Sequence, residues 1–102
     1  MSSRINLVLV DDHERLRSSL GDFLNSCSGM QVIGTASNGN EAVELCDQLN
    51  PDVVLMDIRM PGMDGITATG TIHQQHPNIQ IIALTSGLRV EAEAAVAAGA
   101  SG

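Results

Sequence analysis

Short, nearly continuous apolar runs alternate along this chain with stretches whose apolar residues recur every three or four positions. The run Ile5–Val10 is broken only by Asn6, as expected of a strand buried on both faces. After Asp11 and Asp12 the period changes. Leu16, Leu20, Phe23, Leu24 and Cys27 fall on one face of a helix of about 13 residues, with that stripe turned to the core and Gly29 ending it. Residues 31–36 predict a second strand, more polar and so an edge. Asn38, with Glu41 three residues on, reads as a capping box for a second helix. Its buried stripe is Ala42, Val43, Leu45, Cys46 and Leu49, and Pro51 stops it. Residues 52–56 form a third apolar strand closed by Asp57. A loop through Arg59, Met60, Pro61, Gly62 and Met63 leads to a weaker helix over 64–75, where Thr67, Thr69, Gly70 and Thr71 lower the propensity. Residues 79–84 predict a fourth strand, and 90–98 an alanine-rich helix ending at Gly99.

Strands that alternate with helices, and are apolar on both faces, make a parallel sheet covered by helices on each side and wound right-handed. The fold class is therefore α/β, a doubly wound parallel sheet. At 102 residues, without repeats, low-complexity tracts or a linker, residues 1–102 are expected to form one domain.

Composition narrows the function. Acidic residues number 12 against 5 basic ones, for a net charge of −7. Every base is arginine, and Phe23 stands as the lone aromatic. Such a chain lacks the basic footprint and the stacking rings of a nucleic-acid binder, so direct nucleic-acid binding by this segment is not expected. No apolar run approaches the roughly 18 residues of a membrane span. The N-terminal apolar run is too short, and too soon ended by acid, for a secretory signal. Cys27 and Cys46 lack CxxC spacing and are expected to be reduced core residues of a cytoplasmic protein.

In open α/β sheets, ligands bind beyond the carboxyl ends of the strands, where the strand order reverses. The first strand ends in Asp11-Asp12, the third in Asp57 and the fourth in Thr85-Ser86. Taken singly these have bland readings: Asp12 as a helix cap, Asp57 as the cap of a turn before Pro61. Taken together, they bring three carboxylates and a hydroxyl to one crevice if the first and third strands are neighbours. Two carboxylates about 4 Å apart repel by roughly 4 kcal/mol at an effective dielectric near 20. A divalent cation removes that penalty, and hard oxygen ligands with room for water suit magnesium. A carboxylate beside magnesium can also attack a phosphoryl group to form an aspartyl phosphate, with metal and hydroxyls sharing the charge.

At this point the chain resembles the receiver domains of two-component response regulators. The resemblance is carried by Val8-Leu9-Val10-Asp11-Asp12-His13, by the block running from Asp52 through Asp57, Arg59 and Pro61 to Gly65, by Ile81-Ile82-Ala83-Leu84-Thr85-Ser86, and by Ala98-Gly99-Ala100-Ser101-Gly102. The style is similar to the branch that carries a C-terminal LuxR-type helix-turn-helix output domain. The resemblance implies a flavodoxin-like sheet of order 2-1-3-4 and a signalling domain rather than an enzyme. It implies Asp57 as phosphoacceptor, with Asp12, Asp57 and the Arg59 backbone carbonyl as Mg2+ ligands and Asp11 holding metal-bound water. Thr85 matches the switch hydroxyl, and Arg59 and Gly87 match positions that tune phosphorylation lifetime. The implied partners are a sensor histidine kinase and an output domain or downstream protein, with DNA binding left to the parent protein.

The family continues with a fifth strand, opened by an aromatic and closed by a lysine, and a fifth helix. These lie beyond Gly102, so the chain is expected to be a fragment, with a fourth-strand edge that makes a homodimer plausible. His73 and His76 read as surface residues over a metal pair, and His13 as a solvated first-turn residue over a site neighbour. The competing functions are a receiver-like interaction module with impaired phosphorylation and a Mg-dependent phosphohydrolase. The latter class favours Asp-x-Asp after the first strand, where this chain has adjacent acids.

Overall fold

The computed structural model describes residues 4–57 and 65–84. Four parallel strands, β1 (Ile5–Val10), β2 (Met30–Ala36), β3 (Val53–Asp57) and β4 (Gln80–Leu84), form one sheet in the order β2-β1-β3-β4. Helices α1 (Glu14–Ser26), α2 (Gly39–Leu49) and α3 (Gly65–Gln75) connect them. The alternation of elements along 5–84 is the one the hydrophobic pattern predicts. Thr85, Arg59 and Gly87, the expected helix at 90–98 and the chain's last residues lie outside the described residues.

The two layers follow from the order. Stepping from β1 to β2 runs one way along the sheet, whereas β2 to β3 and β3 to β4 run the other. Right-handed crossovers therefore put α1 on one face and α2 with α3 on the opposite one. In agreement, α1 packs on β1 and β2, and α2 packs on α3. Val8, Val10, Val54, Met56 and Ile81 point to the second face and close with Ala36, Ala42, Cys46, Ala68 and Ile72 into the main core. Leu7 and Leu9, the alternate positions of β1, are also buried, as a strand covered on both sides requires.

β2 is the edge strand expected from its polarity. Its register with β1 slips between Leu7 and Val8, where the partner jumps from Val32 to Gly34. The outer edge is blunted by Asn25, whose Oδ1 accepts the Val32 backbone N–H at 2.8 Å. Gly34 lies close under α2: a Cβ there would stand 2.9 Å from Leu49 Cδ1, the far end of a flexible side chain.

The capping box before α2 forms as read. Asn38 Oδ1 accepts the Glu41 N–H at 2.9 Å, and the Glu41 carboxylate returns to the Ser37 N–H at 3.1 Å and to the Ser37 hydroxyl. These bonds hold the Glu41 carboxyl below its ordinary pKa, the Ser37 hydroxyl first among the causes. α2 ends at Leu49, and Asn50 adopts the left-handed cap conformation one residue before Pro51. In α3 the threonines that weaken the helix bond back to it: Thr69 Oγ1 donates to the Gly65 carbonyl at 2.6 Å and Thr71 Oγ1 to the Thr67 carbonyl at 3.1 Å.

Three expectations need correction. α1 closes at Ser26 with Cys27 as its cap, so Gly29 serves the turn into β2, with φ +86°, rather than the helix end. The stripe on α1 is only partly covered, with Leu16 50% and Phe23 64% exposed. Periodicity fixed which residues share a face, but a single helix lying across β1 and β2 buries only the side nearest the sheet. Cys46 is wholly buried, whereas Cys27 is half-buried at the helix end; both are free thiols. Among the described residues, no helix is long and apolar enough to cross a membrane.

Candidate functional site

The register of the sheet builds the site. Val10 pairs with Met56 in the β1–β3 ladder, so Asp11 and Asp57 stand at the same level at the carboxyl ends of neighbouring strands. The strand order reverses here, since β1 leads outward to β2 and β3 leads inward to β4. Asp12 follows Asp11 into the loop before α1. Single ligand atoms from Asp11, Asp12, His13 and Asp57 all lie within 4.8 Å of one another. The three aspartates expected to converge do so.

Each member is held differently. Asp11 is almost fully buried, and its Oδ1 accepts the His13 backbone N–H at 2.8 Å, closing an Asx turn that sets the start of α1. Its own N–H donates to the Ala36 carbonyl at 3.1 Å, tying the loop to the end of β2. Its carbonyl accepts from Arg17 Nη1 at 2.7 Å. Arg17 thus anchors the loop from the first turns of α1. Sequence reasoning missed it, and a lone arginine six residues beyond Asp11 carries no motif that would have flagged it.

Asp12 does not cap α1. The cap position is His13, whose side chain caps nothing. Instead Asp12 turns into the cluster, where its Oδ1 is buried and receives no hydrogen bond. A buried anionic oxygen among further carboxylate oxygens is the kind of donor a hard cation takes.

His13 belongs to the site, against the reading of it as a merely solvated residue. Its Nδ1 lies 3.0 Å from Asp11 Oδ1 and 3.0 Å from Asp12 Oδ1. The imidazole pKa is raised above the ordinary histidine value, chiefly by the hydrogen bond to Asp11, then by the charges of Asp12, Asp11 and Asp57, with desolvation opposing. His73 and His76 form no metal pair. His76 Nε2 sits 2.6 Å from Asp47 Oδ1, fastening the end of α3 to α2, and His73 is exposed.

Arg59, Thr85 and Gly87 lie outside the described residues. Leu84, the last described residue of β4, is the register partner of Asp57.

The chain is similar to known response regulators. The model of the response regulator receiver domain matches residues 7–102. The transcriptional regulatory protein LiaR of Bacillus subtilis is 49% identical over 82 residues, which cover 80% of this chain and 39% of that protein. A LuxR-family two-component response regulator from Aurantimonas superposes with a TM-score of 0.92 at 35% identity, covering 98% of this chain and 72% of that one. The CheX–CheY–BeF3–Mg complex from Borrelia burgdorferi superposes with a TM-score of 0.88 at 31% identity, covering 97% and 75%. The chain spans well under half the length of the curated relatives it matches. With its sheet order, its carboxylates at the switch point and these likenesses in agreement, the chain belongs to the response regulator receiver domains, which are signalling domains rather than enzymes.

Proposed function

We propose that this chain is the phosphoacceptor module of a two-component response regulator. A sensor histidine kinase passes a phosphoryl group to Asp57, Mg2+ assists at the carboxylate cluster, and the modified domain redirects an output domain or downstream protein that regulates transcription in the cytoplasm. The observation that carries this reading is the gathering of Asp11, Asp12 and Asp57 ligand atoms within 4.8 Å at the switch point. The magnesium and beryllofluoride named for the Borrelia complex and the regulatory names of LiaR and the LuxR-family neighbour support it.

The residues fit the metal. Asp12 and Asp57 would hold it directly with the Arg59 carbonyl, and Asp11, already spent on the His13 N–H, would hold metal-bound water. The cation supplies positive charge that offsets the carboxylates and the transferring phosphoryl oxygens. An Asp57 carboxylate oxygen attacks the phosphorus of a phosphohistidine. As the new P–O bond forms, the P–N bond breaks and its electron pair returns to the imidazole nitrogen, which takes up a proton. Arg17 and the Asx turn keep Asp11 and Asp12 aimed while this happens. Thr85 supplies the hydroxyl that turns toward the new phosphoryl group and biases the fold to its active form.

Acetyl phosphate with Mg2+ tests the reading. Intact mass should rise by one phosphoryl group on the wild-type chain and stay unchanged for Asp57→Asn, and beryllofluoride with Mg2+ should shift amide resonances near Asp57. A folded protein that ignores both reagents overturns the proposal. Partner binding indifferent to Asp57→Ala would favour a receiver-like interaction module instead.

A further inference from the structure

We propose that Arg17 is a specificity-determining residue of the carboxylate site: by holding the peptide between Asp11 and Asp12, it gives the site the rigidity that favours Mg2+ over Ca2+. The inference rests on the reading above that the cluster takes Mg2+. Arg17 touches no ion itself and acts as a positioning residue.

Asp12 has little support of its own. Its Oδ1 is buried and receives no hydrogen bond. His13 Nδ1, 3.0 Å away, belongs to a side chain that is 72% exposed. The direction of the Asp12 carboxylate is therefore set by the backbone on either side of it. Before it, the Asp11 N–H donates to the Ala36 carbonyl at 3.1 Å. After it, the His13 N–H donates to Asp11 Oδ1 at 2.8 Å, and the His13 carbonyl accepts the Arg17 N–H at 2.9 Å. Between these lies the Asp11 carbonyl, part of the planar peptide that leads into Asp12. Arg17 Nη1 donates to it at 2.7 Å, a short bond from a charged donor. Arg17 is half-buried in the first turn of α1, so this bond ties the peptide plane to a helix packed on β1 and β2. Without it the plane can turn about its two flanking dihedrals, and Asp12 turns with it.

Such freedom matters differently to the two cations. Mg2+ demands near-octahedral geometry with oxygens at about 2.0–2.1 Å, whereas Ca2+ takes about 6–8 oxygens at about 2.3–2.6 Å in flexible arrangements. A wandering Asp12 therefore penalises Mg2+ and leaves Ca2+ nearly untouched. Charge drops out of the comparison. Both ions are divalent, so loss of the guanidinium changes their attraction to the cluster alike. A general weakening of the fold also lowers both. The ratio of the two affinities isolates geometry.

Calorimetric titrations of the full-length wild type, Arg17→Met and Arg17→Lys with Mg2+ and with Ca2+ test the inference. Arg17→Met keeps a stem but no donor, and its ratio of Mg2+ to Ca2+ affinity should fall by about tenfold. Arg17→Lys returns one charged donor to the same carbonyl, and its ratio should come back to within about twofold of wild type. Arg17→Gln, with its shorter neutral stem, takes the place of Arg17→Met if that variant does not fold. An unchanged ratio in the variant without the donor, or a ratio that stays low in Arg17→Lys, overturns the inference and leaves the metal site standing. Absence of Mg2+ binding to wild type overturns both.

Discussion

Val10 stands opposite Met56 in the parallel pairing of β1 with β3, and this register is what makes Asp11 and Asp57 neighbours. The packing of Val8, Val10, Val54 and Met56 into one core holds this register, and with it the two carboxylates. The core holds in place a cluster that electrostatics alone would drive apart. Asp12→Asn should therefore stabilise the protein without magnesium, by about 1 kcal/mol, because it removes one repelling charge and supplies an amide donor. Wild type should gain about 1.4 kcal/mol from Mg2+ at ten times its dissociation constant, and the variant much less. Chemical denaturation with and without Mg2+ measures both; a destabilised Asp12→Asn would show that repulsion is not the dominant local cost.

The capping box gives a pH dependence of known sign. The folded-state pKa of Glu41 is depressed by its bonds to Ser37. Its contribution to stability is thus present above the unfolded carboxyl value, and is lost as pH falls through the lower folded one. Stability of wild type and Glu41→Gln should converge as acid protonates the carboxylate. Asn38→Ala should cost about 1 kcal/mol at neutral pH through the lost N-cap. Denaturation midpoints between pH 3 and 7 check both statements.

Burial pushes the Cys46 thiol up to about 11, with the charge of Asp47 adding to it. Few thiolates exist there at pH 8, and no reagent reaches a wholly buried sulfur without opening of the fold. Cys27, half-buried at the end of α1, should react first with a thiol-specific reagent under native conditions. Two equally fast thiols would mean that α2 lifts readily from the sheet. A Cys27→Ser variant isolates the slow phase.

What the sequence made legible was local or periodic. The Asn38–Glu41 box and the Pro51 stop depend on residues a few positions apart, and each appears in the structure where its chemistry requires. The convergence of Asp11, Asp12 and Asp57 was legible on the condition that β1 and β3 are neighbours, an order that the family resemblance implied and the sheet has. The contacts of Arg17 and His13 were not, since both hang on the path of one loop and the direction of single side chains. Nor does spacing reveal how much of a helix face a neighbour covers, which is why Leu16 and Phe23 stand more open than their stripe suggested.

Gly34 separates tolerable from intolerable crowding. An added Cβ would meet Leu49 Cδ1 at 2.9 Å and Leu45 Cδ1 at 3.5 Å. Leu49 is 39% exposed and can turn outward. Gly34→Ala should therefore stay within about 1 kcal/mol of wild type, because relief of backbone entropy offsets a small shift of that side chain. Gly34→Val extends the clash toward Leu45 and should cost about 1–3 kcal/mol. Urea midpoints of equal size for the two variants would mean that α2 itself moves away from β2.

The two helical layers should respond oppositely to polar or shortened side chains. Ile72 of α3 is fully buried against the core of Val54, Met56 and Ile81, so Ile72→Ala should cost about 2–5 kcal/mol in transfer and cavity terms. Phe23 lies on the other layer, on a stripe that α1 does not bury, and Phe23→Ser should change stability by no more than about 0.5 kcal/mol. What Phe23→Ser should alter is association. Phe23, Leu16 and the exposed Ile5 and Ile82 offer apolar surface that costs free energy in water and can be buried between copies. Light scattering across a concentration series should show the apparent mass of wild type rising more steeply than that of Phe23→Ser, at equal folded fraction. Identical slopes would mean that this stripe contributes nothing to self-association, and a large loss of stability in Phe23→Ser would mean that another part of the chain covers it in solution.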